Sequence, residues 1–170
     1  MQAKVGQANA MASALPAAQV RRVSMSGATV DGHAYGLAYP WLPSDAGRSA
    51  SRRARQRNDC TVRALAMVHE LPYDQAYDLL AAAGRKCGKG FRFKVWMKDQ
   101  AWAIHRSFPA VRGERRMNPA TFVSRFPRGR FICQAARHVF AVVDGVVIDE
   151  FENRADRCIY GAWEITAPMS

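Results

Sequence analysis

His138-Val-Phe-Ala-Val-Val-Asp-Gly-Val-Val-Ile-Asp149 reads as a β-hairpin, and its register decides what the rest of the chain can build. Asp144-Gly145 is the favoured two-residue turn, because both positions must accept a left-handed backbone. With that turn, Val143 faces Val146, Phe140 faces Asp149 and His138 faces Phe151. Alternation then puts His138, Phe140, Val142, Val147, Asp149 and Phe151 on one surface. His138 and Asp149 become diagonal neighbours, about 7 Å apart at the backbone and within side-chain reach. A carboxylate there accepts from one ring nitrogen, fixes the tautomer and leaves the other nitrogen for a second partner. A slip of one residue would destroy the arrangement.

Working outward, Arg130–Ala135 alternates as a preceding strand, and Ile159–Ile165 is predicted as an added edge strand. Asn118-Pro119 opens a helix running through Phe126, with an Asn cap and Pro in the first turn. Further upstream, Asp59 is a good N-cap for a helix over Cys60–His69, whose Val62, Leu65, Ala66 and His69 recur at helical spacing. Leu71-Pro72 ends it. Tyr73–Ala83 forms a second helix with Ala76, Tyr77, Leu79 and Leu80 inward, closed by Gly84. After a basic, glycine-broken stretch from residue 85, a short helix is expected from about Val95 to His105. The class is α+β: an N-terminal helical lobe packed on an antiparallel sheet centred on residues 130–165.

The chain has 170 residues, 49% of them hydrophobic, enough for one domain with a core and a tail. It lacks the run of roughly 20 apolar residues that a membrane span needs, and its N-terminus does not read as a secretory signal. Four cysteines, Cys60, Cys87, Cys133 and Cys158, show no zinc-ligand spacing and read as reduced thiols in a cytoplasmic setting. A zinc site from Cys87, Cys133, His138 and Cys158 is a minor alternative. His69 and His105 read as packed or solvent-facing. No nucleotide-binding glycine loop is present, so no cofactor or metal is expected.

Net charge is +11, and residues 1–57 carry eight basic against two acidic residues. A boundary is therefore expected after residue 57, dividing a basic, low-complexity arm or linker (1–57) from a folded domain (58–170). Residues 1–19 are small and polar, and 20–41 suit short strands or an extended arm. Arg48, Arg52, Arg53, Arg55 and Arg57 form either a solvated linker or a phosphate-binding arm. Residues 85–116 interleave ten basic residues with Phe91, Phe93, Trp96 and Trp102. This pattern suits single-stranded nucleic acid, or a surface whose rings face the core.

Cys60 falls in the first turn of its helix, where unpaired N–H groups and the dipole favour a thiolate. Cys60, His138 and Asp149 together are the minimum set for acyl transfer by a cysteine nucleophile: thiolate, general base and orienting carboxylate.

Gln56-Arg-Asn-Asp-Cys60-Thr-Val-Arg-Ala-Leu65, followed by a helix with Tyr73 and Tyr77, resembles the nucleophile region of papain-like cysteine peptidases. The bacteriocin-processing branch, with its Asp-Cys dipeptide opening a helix, is the nearest in pattern. Arg137-His138 through Asp149 resembles the histidine and aspartate hairpin of the same superfamily and of small phage and bacterial proteins. The likeness covers residues 56 to about 165. It implies a papain-like fold and cleavage of a peptide, isopeptide or related amide bond in a peptide or protein substrate, with Cys60 as nucleophile, His138 as base and acid, and Asp149 as orienter. The family's oxyanion-hole Gln stands six residues before the nucleophile, where this chain has Ala54. Gln56 is the first replacement and Asn58 the second, with the Cys60 N–H as the other donor. Thr61 stands where the bacteriocin-processing members tend to have Gly. These departures keep a second expectation open: a catalytically inactive peptidase-fold protein acting as a basic structural or nucleic-acid-binding component, for instance of a phage virion. The setting implied is the bacterial host cytoplasm or the virion itself.

Overall fold

The structure is a computed structural model; it describes residues 21–23, 29–30, 33–34, 39–153, 156–167 and 169, with side chains from residue 39 onward. The Asp144-Gly145 turn forms with φ of 47° and 75°. It joins β7 (His138–Val143) to β8 (Val146–Asp149) in the register Val143↔Val146, Val142↔Val147, Ala141↔Ile148. β6 (Arg130–Ala135) pairs antiparallel on the other side of β7. The second helix of the lobe ends, as expected, at a left-handed Gly84 with φ 93°.

Around this centre the sheet is mixed and mostly antiparallel. Its six main strands run in the order β4 (Tyr39–Pro43), β8, β7, β6, β9 (Gly161–Ile165), β5 (Ala103–Ser107), and β1 (Arg21–Val23) pairs with the outer side of β4. The β4–β8 pairing is parallel. A separate two-stranded ladder joins β2 (Thr29–Val30) to β3 (His33–Ala34).

Alternation along β6 to β9 divides the core in two. Ile132, Val139, Ala141, Val143, Ile148 and Trp163 face α1 (Cys60–His69), α2 (Tyr73–Ala82) and α3 (Phe93–Lys98) through Val62, Leu65, Leu80, Phe93 and Met97. Phe131, Cys133, Phe140, Val142 and Val147 face the opposite way, where α4 (Pro119–Arg125) brings Ala120 and Phe122. Each fully buried large side chain here contributes roughly 1.5–3 kcal/mol of hydrophobic stabilisation. α4 starts as expected, with Asn118 Oδ1 accepting from the Thr121 N–H at 2.9 Å.

Several expectations need correction. Residues 39–57 are not an extended arm: β4 is hydrogen-bonded into the sheet, and Arg52 and Arg53 dock on Asp74 and Asp78 of α2. The folded unit therefore extends well before residue 57. The readings of residues 1–19 and of most of 20–38 lie outside the described residues. The helix expected over Val95–His105 is split into α3 and strand β5. β9 is interior rather than an edge, because β5 pairs along its free side. At that crossing a Cβ on Gly161 would sit 2.9 Å from the Arg106 carbonyl oxygen, so only glycine lets the two strands approach. Leu79 is 37% exposed rather than inward, and the returning hairpin strand ends at Asp149, short of Phe151. No described helix is long and apolar enough to cross a membrane.

Candidate active site

Three element ends meet at one end of the sheet's central strands. Cys60 is the first residue of α1, His138 the first of β7 and Asp149 the last of β8. Arg137, at φ 53°, turns the chain left-handed just before His138. The hairpin register keeps the histidine and aspartate adjacent, and the packing of α1 against β7 brings the thiol to them.

The three expected residues interact as a set. His138 Nε2 lies 2.5 Å from Asp149 Oδ2, so Nε2–H donates to the carboxylate. Cys60 lines the same cleft as His138 and Val139, close enough for the imidazole and the Val139 backbone N–H to act on its thiol. With Nε2 engaged, Nδ1 is the nitrogen left for the sulfur. The imidazole also stacks on Phe140, with 6.2 Å between ring centres.

The electrostatics match this geometry. Burial opposes the Cys60 thiolate, but the His138 hydrogen bond, the Val139 N–H and the charges of His138 and Arg63 outweigh it, and the thiol pKa is lowered. Burial likewise opposes the His138 cation, yet the bonds to Asp149 and Cys60 push its pKa up to about 9. Asp149 is buried, which works against its charge, but His138, Asn153 and Arg63 hold its carboxyl below the usual range. Lowered thiol and raised imidazole together favour a thiolate–imidazolium pair. Cys133, fully buried, has its thiol pushed well up instead.

Behind the triad lies a buried charge network that sequence reasoning missed. Arg63, 7% exposed, reaches Asp149 Oδ1 (3.1 Å), Asp59 Oδ1 (3.3 Å) and Glu150 Oε2 (3.2 Å). Asp59 occupies the N-cap position, but its side chain makes no cap bond. It accepts instead from Tyr73 Oη at 2.8 Å and pairs with Arg48 at 3.4 Å. Asn153 Nδ2 donates to Asp149 Oδ2 at 2.9 Å. The available signal was spacing: Arg63 follows Asp59 by four residues and Cys60 by three, so all three share one helix face.

The two oxyanion candidates differ in their surroundings. Gln56 lines the cleft beside Cys60, and its Oε1 accepts from Arg85 Nη1 at 3.5 Å, which leaves Nε2 as the donor end. Asn58 also lines the cleft, but its Nδ2 is engaged with the Gly88 carbonyl at 3.1 Å. Three of the five arginines proposed for phosphate binding are paired with carboxylates. Arg48 is committed to Asp59 and Glu150, and Arg52 and Arg53 to Asp74 and Asp78; Arg53 also lies over the Tyr77 ring at 4.3 Å. Arg55 and Arg57 are exposed.

His69 packs edge-on against Trp102, with 4.5 Å between ring centres, and His105 lies beside Trp163. Among the described residues, no group of three or more His, Cys, Asp or Glu is arranged to hold a metal ion. The cleft holding Cys60 and His138 has a volume of about 1010 Å³, ample for several residues of an extended peptide. Comparisons with family models, curated proteins and solved structures find no match to this chain.

Proposed function

We propose that the chain is a thiol hydrolase of papain-like type that cleaves a peptide, isopeptide or related amide bond. The observation that carries this reading is the convergence, at one cleft, of Cys60 at a helix N-terminus and the hydrogen-bonded His138–Asp149 pair, with His138 lowering the Cys60 thiol pKa. The Cys60 thiolate attacks the amide carbonyl carbon, and the carbonyl electron pair moves onto oxygen. The Cys60 backbone N–H and Gln56 Nε2 donate to that oxyanion. As the tetrahedral adduct collapses, the C–N bond breaks, His138 protonates the departing nitrogen and a thioester remains. Neutral His138 then takes a proton from water as its oxygen attacks the thioester; the C–S bond breaks, the acid is released, and the ion pair is restored.

Labelling with iodoacetamide at pH 6, read by mass spectrometry, tests this directly. Cys60 is half-buried and Cys87 exposed, so access alone favours Cys87. The expected result is that Cys60 labels first, that His138→Ala abolishes this advantage, and that wild type but not Cys60→Ala releases new N-termini from a peptide mixture. Preferential labelling of Cys87, with no cleavage, would leave only a basic scaffold carrying an unused triad.

A further inference from the structure

The rim of the cleft carries a charge that the triad does not use. Arg57, Lys89, Arg92, Lys94 and Arg137 all line the cleft that contains Cys60 and His138, and all are exposed. Among the described residues none of the five has a carboxylate partner, whereas Arg48 and Arg63, deeper in the same cleft, are neutralised by Asp59, Asp149 and Glu150. The cations of the floor are thus paired with carboxylates, whereas those of the rim are not. Apolar surface is interleaved with the cations: Phe151 is 67% and Val95 48% exposed, and both line the cleft.

We propose that the cleft selects an acidic polypeptide segment, with Asp or Glu residues flanking the scissile amide and an apolar residue seated between Val95 and Phe151. The inference rests on the thiol hydrolase reading and adds the class of substrate. Low-dielectric walls lined with one sign of charge concentrate ligands of the opposite sign. A single-stranded nucleic acid would also be attracted, but it needs free aromatic faces on which bases stack. Here Phe93 is buried, Trp96 and Trp102 pack on each other and on the core, and Phe91 packs partly against the same cluster. Phe151 is the ring left exposed on the cleft lining, and a positive rim with one such ring suits carboxylates on a peptide better than a run of stacked bases.

Three vinyl sulfone peptides of equal length, with Glu, Gln or Lys on both sides of one central Leu, would be reacted with the full chain. Neutral iodoacetamide serves as a parallel probe of the thiolate alone. The expected order of alkylation at Cys60 is Glu, then Gln, then Lys, with roughly tenfold between the extremes, the factor that about 1.4 kcal/mol produces. That ratio should shrink as salt is raised. Lys89→Glu/Arg92→Glu/Lys94→Glu should reverse the order once each peptide rate is divided by the same variant's iodoacetamide rate, which corrects for any change in the thiolate itself. Rapid iodoacetamide labelling with no preference among the peptides would overturn the substrate assignment and keep the hydrolase. Slow labelling by every probe would overturn both. Blocking of the peptide probes by an equimolar oligo(dT) at moderate salt would reassign the rim to nucleic acid.

Discussion

Replacing Arg63 by Met removes a cation that touches three carboxylates behind the triad. Arg63 is 7% exposed and lies 3.1 Å from Asp149, 3.2 Å from Glu150 and 3.3 Å from Asp59. Met keeps the apolar stem of the side chain and drops the guanidinium, so most of the loss is electrostatic. Removing one partner of a buried ion pair costs about 3–5 kcal/mol, because the remaining charge stays desolvated. The lower end applies here: Asp149 keeps Asn153, His138 and the Glu150 N–H, and Asp59 keeps Tyr73 and Arg48. A loss of about 3 kcal/mol corresponds to a fall in Tm of roughly 6–12 °C for a domain of this size. Circular dichroism melts at pH 7 read it. A second consequence is independent of stability: Arg63 is among the charges that lower the Cys60 pKa, so the thiolate should form at higher pH in the variant. A Tm within 2 °C of wild type together with an unmoved thiol titration would refute the reasoning and reduce the network to surface decoration.

Three further variants probe the cleft and a separate histidine. Gln56→Ala should lower kcat by about 100-fold with little change in KM, the size of effect seen when one oxyanion donor is removed. Asn58→Gly, which retains the left-handed backbone at φ 52°, should change kcat by less than about threefold, because the Asn58 amide is engaged with Gly88; steady-state kinetics on a cleaved peptide separate the two. His69 is half-buried beside Arg130, and burial together with that charge pushes its pKa down to about 4. Between pH 6.5 and 4 the unfolded chain binds the proton and the folded chain does not, so stability falls as pH drops through that window. The expected loss is about 2 kcal/mol after discounting partial exposure. His69→Phe should flatten the denaturant midpoint across it.

What could be read from the chain was local. The hairpin register, the α1 and α2 spans and the Asn118 cap follow from turn chemistry and periodicity within a dozen residues, and the His138–Asp149 contact comes with them. The rest depended on distant partners. Tyr39–Pro43 contains two prolines and pairs in parallel with β8, a long-range pairing with no hairpin signal to announce it. Ala103–Ser107 is an outer strand with four of its five residues exposed, so it shows no alternation and its apolar flank mimics a helix. The Arg48–Ala50 turn carries an arginine that belongs to the network, yet in sequence it is indistinguishable from its exposed neighbours. Burial, which separates Arg48 and Arg63 from Arg55 and Arg57, is a property of the assembled fold.

The account stands on an ionised sulfur at Cys60 that shares its proton with His138. Thiolate absorbance near 240 nm, followed from pH 4 to 10 as the difference between wild type and Cys60→Ser, measures it most directly. The prediction is a thiolate that forms below pH 8.5, the free-cysteine value, with a second change near pH 9 as His138 loses its proton. A single rise at or above pH 8.5, unchanged by His138→Ala, would contradict the ion pair and with it the catalytic reading.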